Sequence, residues 1–192
     1  MSFSGWIAAV VLFLQLPVPL YWFVLHPFKN FWRGRGNMVY LIALLCSWLP
    51  VTIALLIYHG VLLRPEWPAA WRFMLGLALI ALEMCMFWRV KRDLGGARLV
   101  GATEISGGGE IERRGIYAWI RHPRYVGSFL ALIGACLLAA TRTMWVLAAV
   151  WTLLTGTAIA LEERELRARF GDSYREYCKR VPRFLPRLSR PQ

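Results

Sequence analysis

The sequence has few acidic residues for its length. Eleven Asp and Glu stand against 23 Lys and Arg, which gives a formal net charge of +12 over 192 residues. A strongly basic balance is common in proteins that bind nucleic acid. Here the basic residues fall in loops between long apolar segments. This pattern favours attraction to anionic lipid headgroups and a topology signal instead, and it predicts no nucleic-acid partner.

Paired cysteines and phosphate-loop motifs are also missing. The four cysteines are isolated, no Cys-x-x-Cys occurs, and three of them lie inside apolar segments (Cys46, Cys85, Cys136; the fourth is Cys178). We therefore expect free thiols and no metal site. Residues 107–109 are three glycines, but no Gly-Lys-Ser/Thr follows them, so they predict a flexible turn and not a phosphate loop.

Apolar residues, by contrast, are abundant. They make up 58% of the chain, and ten tryptophans suit the interfaces of a membrane. A helix needs roughly 20 residues to cross the hydrocarbon core. The sequence therefore predicts an all-α, polytopic integral membrane protein with about five transmembrane helices. These lie at about 6–25, 38–63, 70–88, 125–140 and 144–161, and the last two form a helical hairpin.

The first apolar segment has two further features. No basic region precedes it and no small-residue cleavage site follows it, so we expect a retained helix and not a cleaved signal peptide. Pro17 and Pro19 lie inside it and predict a kink. Gln15 lies just before the kink. Its side chain could face a cavity or bond to a backbone carbonyl that the prolines leave free, and we favour the second interpretation.

The distribution of basic residues predicts the orientation. With five spans, 20 of the 23 Lys and Arg fall on one side and Arg64, Arg72 and Arg142 on the other. The positive-inside rule then places the N-terminus outside and the C-terminus in the cytoplasm. The shortness of the chain favours a prokaryotic inner membrane. Glu83 lies inside the third segment, where a carboxyl group is costly. It could form a structural ion pair or line a cavity, and both interpretations remain open.

Two polar clusters are predicted to meet on the cytoplasmic side. Residues 115–127 read Gly-Ile-Tyr-Ala-Trp-Ile-Arg-His-Pro-Arg-Tyr-Val-Gly, and they place hydrogen-bond donors at the start of the fourth helix, where an anion can bind. Glu162 and Glu163 end the fifth segment and could hold an ammonium group or ribose hydroxyls. A site with both positive and negative side chains suits a zwitterionic ligand. The alternative is that these charges only pair across the hairpin.

The 115–127 segment resembles the signature of the isoprenylcysteine carboxyl methyltransferase and phospholipid methyltransferase superfamily. The C-terminal block, with Glu162, the residues 170–174 and Val181-Pro182, resembles the same superfamily. The resemblance covers about half of the chain. It implies an integral membrane methyltransferase that uses S-adenosylmethionine. The cofactor-binding residues that it implies are Ile111, Tyr117, Arg121, His122, Pro123, Arg124, Tyr125, Glu162 and Glu163.

With this resemblance the chain is predicted to be one membrane methyltransferase domain over 1–192. Three spanning helices (1–88) precede a cytoplasmic cofactor loop (89–124), the hairpin (125–161) and a cytoplasmic tail that completes the site (162–192). The pattern excludes the soluble methyltransferase fold, since strands and helices do not alternate.

The methyl acceptor is less determined. Carboxyl-methylating relatives place a substrate-binding arginine four residues before the equivalent of Glu162, and this chain has Ala158 there. Arg164 is a possible substitute. The acceptor is expected to be lipophilic or lipidated and to enter from the membrane lipids, with either a prenylcysteine-like carboxylate or an amine headgroup. A carboxylate needs no general base, whereas an ammonium group must lose a proton. The candidate bases are Glu83, His122 and Glu163.

Two alternatives from other classes remain. Membrane sterol reductases, which use NADPH, resemble the C-terminal region and have a Tyr-Cys-x-x-Val-Pro element like residues 177–182. A non-catalytic membrane scaffold is the second alternative, and it would make both polar clusters structural. Binding of NADPH or of S-adenosylhomocysteine discriminates among the three.

Overall fold

The computed structural model describes residues 2–36, 38–64, 66–99, 101 and 109–187, and all regular structure in these ranges is helical. Seven helices form the body of the molecule. They are α1 (Phe3–Gln15), α2 (Pro17–Leu25), α3 (Met38–Leu62), α4 (Ala70–Leu94), α5 (Pro123–Ala139), α6 (Arg142–Phe170) and α7 (Asp172–Arg180). Short helical turns lie at Lys29–Trp32, Gly96–Leu99 and Gly115–Ala118. The glycine turn predicted at 107–109 falls mostly on residues outside those described.

Four helical segments are long and apolar enough to cross a membrane: α1 together with α2, then α3, α4 and α6. The shorter apolar helix α5 has 17 residues, or about 26 Å of helix at 1.5 Å per residue. The predicted all-helical, polytopic membrane architecture is therefore confirmed. Two helices continue beyond the predicted apolar segments, because charged residues with good helix propensity follow the apolar part of each. Helix α4 continues past residue 88 to Leu94, and α6 continues past residue 161 to Phe170.

The predicted interruption of the first segment lies at Leu16, between α1 and α2. A proline has no N–H, so Pro19 leaves the carbonyl of Gln15 without its partner in the helix. The indole Nε1 of Trp151 on α6 donates to that carbonyl at 3.0 Å. The preferred interpretation of the Gln15 side chain was wrong, because its amide bonds to Glu83 and Arg124 and not to a backbone carbonyl.

Helix α5 lies at the centre of the bundle and packs against α1, α4 and α6. Most of its residues are buried. Small residues let α4 approach closely: a Cβ atom added to Gly134 would lie 2.7 Å from the carbonyl oxygen of Gly76, and one added to Gly76 would lie 3.0 Å from the carbonyl oxygen of Gly134. Close contact between backbones at small residues is a common means of association for membrane helices.

Helices α5 and α6 form the predicted hairpin. Ala140 ends α5 in the left-handed conformation, and Thr141 begins α6 by accepting a hydrogen bond from the N–H of Met144. The Thr141 hydroxyl also donates to the carbonyl of Leu62 at 2.7 Å, which ties the turn to the end of α3.

The short central helix creates the space for a site. Helix α5 begins near the middle of α4, where Gly127 faces Glu83 and Met86, while α4 continues to Leu94. On the other side, α6 continues past Glu163 to Phe170, and α7 follows after Gly171. Both neighbours therefore extend beyond the first residues of α5 and form walls around that end of it.

Candidate active site

A cavity of about 1150 Å³ lies at the first turn of α5, between the walls formed by α4 and α6. One part of its lining is apolar and comes from α1, α3 and α4, including Trp6, Val10, Leu44 and Ile80. The other part carries charged and phenolic side chains from α5, α6, α7 and the segments before α5. The polar part includes Arg98, Glu112, Tyr117, Arg121, His122, Tyr125, Glu162, Arg169, Tyr174 and Tyr177.

The segment that leads into α5 is anchored to the end of α4. Asp93 accepts a hydrogen bond from the N–H of Ile116 at 2.8 Å. Gly115 begins the turn at φ 57°, and a Cβ atom there would lie 1.9 Å from Oδ2 of Asp93. The first glycine of the motif is therefore required both by its backbone conformation and by the carboxylate beside it.

The tail returns over the same segment. The backbone N–H groups of Arg121 and His122 donate to the carbonyls of Pro182 and Arg183 at 2.9 and 3.1 Å. The hydroxyl of Tyr177 donates to the carbonyl of Tyr117 at 2.7 Å. The two blocks that resemble a methyltransferase signature are thus in direct contact, which explains why residues after α7 accompany the motif.

Glu163 is buried beneath this contact and accepts from several cationic groups. Its side chain is 1% exposed, and its carboxylate lies 2.8 Å from Nη1 of Arg121, 3.1 Å from Nε2 of His122 and 2.9 Å from Nη2 of Arg167. Arg183 is a further partner, and its bond to the Glu163 carboxylate raises the pKa of the Arg183 guanidinium. Glu163 is not among the residues that line the cavity.

His122 lines the cavity from the last position before α5. Because its Nε2 faces the Glu163 carboxylate, the hydrogen-bond pattern assigns the ring proton to Nε2. No residue in the described ranges forms a hydrogen bond to Nδ1. The neutral ring therefore has a lone pair at Nδ1 that can accept a proton.

Glu162, the residue before Glu163 on α6, does line the cavity. Its Oε2 accepts from the Tyr125 hydroxyl at 2.9 Å. Its Oε1 forms no hydrogen bond with the residues that the structure describes. Tyr117 lies nearby, and burial followed by the charge of Glu162 raises the pKa of its phenol, so Tyr117 stays neutral.

A second polar cluster lies deeper, about halfway along α4. Glu83 Oε1 lies 3.1 Å from Nη1 of Arg124 and 3.4 Å from the amide nitrogen of Gln15. Arg124 Nη1 also donates to Ser128 at 2.7 Å, and its Nη2 lies 3.4 Å from the Gln15 amide oxygen. Both interpretations of Glu83 describe it: it is ion-paired, and it lines the cavity with Gln15 and Arg124.

Most of the residues predicted for the site lie together at this cavity. The lining includes Glu83, Ile111, Tyr117, Arg121, His122, Arg124, Tyr125 and Glu162. Pro123 and Glu163 are buried beside the cavity and are not part of its lining. Ala158 is buried on α6, and Arg164 is exposed and is not a lining residue, so the cavity wall does not use Arg164 in place of the missing arginine.

Some lining residues were not assigned from the sequence. Glu112 and Arg98 form an ion pair at 3.3 Å at the polar end. Tyr174 and Tyr177 of α7 line the same end, and their spacing of three residues is the signal that places them on one helix face. The apolar sequence of α1 indicates only a membrane helix, so it does not identify which of its residues line the cavity.

Arg121 and Tyr174 are neighbours in the wall at the polar end of the cavity, where the Arg121 guanidinium interacts with the Tyr174 hydroxyl. S-adenosylmethionine carries both charge signs, ribose hydroxyls and an adenine ring. Carboxylates, guanidinium groups and phenols line this end of the cavity, so the residues present fit that ligand.

The chain is similar in sequence to known methyltransferases. A family model described as phospholipid methyltransferase matches residues 71–173, which is just over half of the chain. A protein-S-isoprenylcysteine O-methyltransferase from Xenopus laevis is 32% identical over 166 residues, which cover 78% of this chain and 51% of that protein. The Homo sapiens protein of the same name is 31% identical over 154 residues, which cover 78% and 52%.

A third relative is the methanethiol S-methyltransferase 1 of Bradyrhizobium diazoefficiens, which is 41% identical over 71 residues. These cover 37% of this chain and 24% of that protein. The chain thus spans about half the length of the isoprenylcysteine relatives and about a quarter of the methanethiol relative. No solved structure matches the chain significantly.

Proposed function

The chain belongs to the phospholipid methyltransferase family, and from this membership we propose that it transfers a methyl group from S-adenosylmethionine to a lipophilic acceptor. The cavity at the start of α5 is the proposed site. By the distribution of Lys and Arg, its polar end faces the cytoplasm of a cell that we propose to be prokaryotic. Single residues support different parts of this function.

The polar end of the cavity is the proposed cofactor site. Glu162 has a carboxylate oxygen available for an ammonium group or ribose hydroxyls. Arg121 contributes a guanidinium group to the same wall, and a ligand carboxylate is a suitable partner for it. Tyr117, Tyr174 and Tyr177 add flat apolar surfaces suited to an aromatic ring. When bound, S-adenosylmethionine supplies a methyl group that is already activated as a sulfonium, so the protein mainly binds, aligns and excludes water.

The apolar end is the proposed path for the acceptor. Trp6, Val10, Leu44 and Met84 line it, and each of them also exposes about half of its surface. Exposed apolar residues on spanning helices face lipid, so this end opens towards the bilayer between α1, α3 and α4. A lipophilic molecule can therefore enter from the membrane while a soluble cofactor enters from the polar end.

Proton removal, where the acceptor requires it, has two candidates in the cavity wall. His122 Nδ1 and one carboxylate oxygen of Glu83 form no hydrogen bond with the described residues. The third candidate, Glu163, already accepts from several cationic groups and lies outside the lining. We therefore propose a positioning role for Glu163, which holds His122 and Arg121 in place.

The observation that carries the proposal is the direct contact of the two blocks, with Glu162, His122 and Tyr125 together in one cavity wall. The test is a calorimetric titration of the purified protein in detergent with S-adenosylhomocysteine, run beside NADPH. We expect saturable binding of S-adenosylhomocysteine alone. Binding of NADPH alone would identify a reductase. Binding of neither, in detergent and again in lipid bilayers, would mean that the polar clusters are structural.

A further inference from the structure

We propose that Gln15, Glu83 and Arg124 bind the polar end of the methyl acceptor and select an uncharged hydrogen-bond donor, such as a thiol or hydroxyl, over a carboxylate. This inference rests on the proposed function, because it names the class of acceptor for the same cavity. It follows from where the three residues lie, from their net charge and from a Glu83 oxygen that bonds to none of the described residues.

The three side chains form a polar cluster in a wall whose other α1 and α4 residues nearby are apolar. On α1, every lining residue before Gln15 is apolar. On α4, Ile80 precedes Glu83 in the lining and the apolar residues Met84, Phe87 and Trp88 follow it, so Glu83 is a charged group within an apolar stretch of the wall. A lipophilic molecule with its chain in the apolar part therefore brings its polar end to Gln15, Glu83 and Arg124, next to the proposed cofactor site.

The cluster carries no net charge. The Arg124 guanidinium and the Glu83 carboxylate are paired at 3.1 Å, and the side chain of Glu83 is 10% exposed. The Gln15 amide bonds to both of them and adds no charge. A carboxylate bound here would put a second anion beside Glu83, and an ammonium group would put a second cation beside Arg124. Both are unfavourable where water is largely excluded.

The available hydrogen-bonding capacity favours a donor. Oε1 of Glu83 accepts hydrogen bonds from Arg124 and Gln15, whereas Oε2 accepts none from any described residue. Arg124 uses both hydrogens of Nη1, for Glu83 and Ser128, and one hydrogen of Nη2, for Gln15. Its Nε hydrogen and second Nη2 hydrogen bond to no described residue, and a thiol or a hydroxyl can accept one of them while it donates to Glu83. A carboxylate oxygen can only accept, so the ligand that completes Oε2 must donate. A thiol or a hydroxyl does this without adding charge.

The test compares probes of equal chain length with different polar ends: decanethiol, decanoate and decylamine. Each is titrated calorimetrically at pH 7.5 into the full chain in lipid nanodiscs, and into empty nanodiscs to subtract partitioning. For the wild type we expect decanethiol to bind at least about tenfold more tightly than decanoate, the ratio typical of a lost hydrogen bond to a charged group. Tighter binding of decanoate or of decylamine than of decanethiol would overturn the proposal.

Variants test the origin of the preference. Glu83→Gln leaves the Arg124 charge without its partner, so decanoate should gain affinity and the preference should reverse. The double variant Glu83→Gln with Arg124→Gln removes both charges, and the gain for decanoate should disappear. Glu176→Gln removes an exposed carboxylate outside the cavity and should leave the relative affinities for the three probes unchanged. An unchanged ratio in a folded Glu83→Gln protein would contradict the assignment, and the wild-type comparison stands even if that variant does not fold.

S-adenosylhomocysteine is titrated into the same samples to separate the two proposals. If it does not bind, the proposed function fails whichever probe is preferred. If it binds and decanoate is still the preferred probe, the methyl transfer proposal survives and the acceptor class is wrong.

Discussion

At the scale of single residues, two neighbouring glutamates on α6 have opposite surroundings. Glu162 lines the cavity and keeps one carboxylate oxygen free of described partners, whereas Glu163 is buried and accepts from Arg121, His122 and others. Successive helix positions point about 100° apart, which is enough to place one side chain in the cavity and the other behind its wall. They should therefore respond differently to substitution.

Replacing Glu162 should affect ligand binding more than folding. Glu162→Ala removes an acceptor from the proposed cofactor site, so we expect the affinity for S-adenosylhomocysteine to fall by about tenfold or more. Its melting temperature should stay near that of the wild type. Calorimetry measures the affinity, and Glu176→Ala on the exposed face of α7 is the matched control. Wild-type affinity in the Glu162 variant would contradict the site assignment.

Replacing Glu163 should affect folding first. Glu163→Gln leaves buried cationic groups without their carboxylate, and losing one partner of such a cluster typically costs about 3–5 kcal/mol. A clear drop in melting temperature in detergent is the expected result. Arg167 contacts the same carboxylate but its side chain is 48% exposed, so Arg167→Gln should cost less than about 1 kcal/mol. Equal effects of the two substitutions would argue against Glu163 as the centre of the cluster.

At the scale of elements, the contact between α4 and α5 determines where the motif lies. The two helices approach most closely at Gly76 and Gly134, and α5 then meets Glu83 at Gly127. Any change that separates these helices also moves Arg124 away from Glu83. The glycines in this contact are therefore linked to the site although none of them belongs to it.

Gly134→Ala should destabilise the protein by about 1–3 kcal/mol, because the added Cβ overlaps the carbonyl oxygen of Gly76 at 2.7 Å. The matched control is Gly156→Ala on α6, where a Cβ atom meets nothing within 4 Å. That change should be neutral or slightly stabilising, since alanine has the higher helix propensity. Thermal melting of both variants measures the difference, and similar melting temperatures would contradict the close packing of α4 and α5.

Docking of α7 should depend on pH in the alkaline range. Burial, with smaller contributions from nearby charges, raises the pKa of Tyr174 and of Tyr177 above the ordinary value near 10. Between the unfolded and the folded pKa only the unfolded chain loses these protons, so this stability is complete below about pH 10 and is lost as pH rises. Melting temperatures from pH 8 to 11 should show the decline, and Tyr174→Phe should reduce it. Tyr58→Phe at an exposed position should leave it unchanged.

At the scale of the whole molecule, the number of membrane-spanning segments and the distribution of charge predict its orientation in the membrane. Four long apolar segments and the shorter α5 make five passes, so the termini are expected on opposite sides of the membrane. Most Lys and Arg lie on the side of the C-terminus and of the polar end of the cavity. The cavity is therefore expected to open to both cytoplasm and bilayer.

Reporter fusions test this orientation. A fluorescent protein fused after residue 192 should fluoresce, because it folds in the cytoplasm, while alkaline phosphatase at the same place should be inactive. Fusions truncated at Arg142, the first residue of α6 after the turn from α5, should give the reverse result. Active phosphatase at the C-terminus would invert the predicted topology and place the polar end of the cavity outside.

Local chemistry was enough to predict much of this protein from its sequence. The length of each apolar segment predicts a spanning helix, because every helix that crosses the lipid must be long and apolar enough by itself. The two prolines mark the break at Leu16. The motif around His122 predicts the family by residue identity alone. Apolar length alone does not predict the helix ends, because charged residues continue α4 and α6 beyond their apolar parts.

Only the tertiary structure decided how the polar groups are paired. Gln15, Glu83 and Arg124 are separated by 68 and 41 residues, and the side chain of Gln15 was interpreted wrongly because its partners come from other helices. Likewise, adjacency in sequence does not distinguish the cavity-lining Glu162 from the buried Glu163. Such pairings depend on how far each helix is rotated and shifted against its neighbours. That geometry is set by packing at contacts such as Gly76 with Gly134, and no single segment contains it.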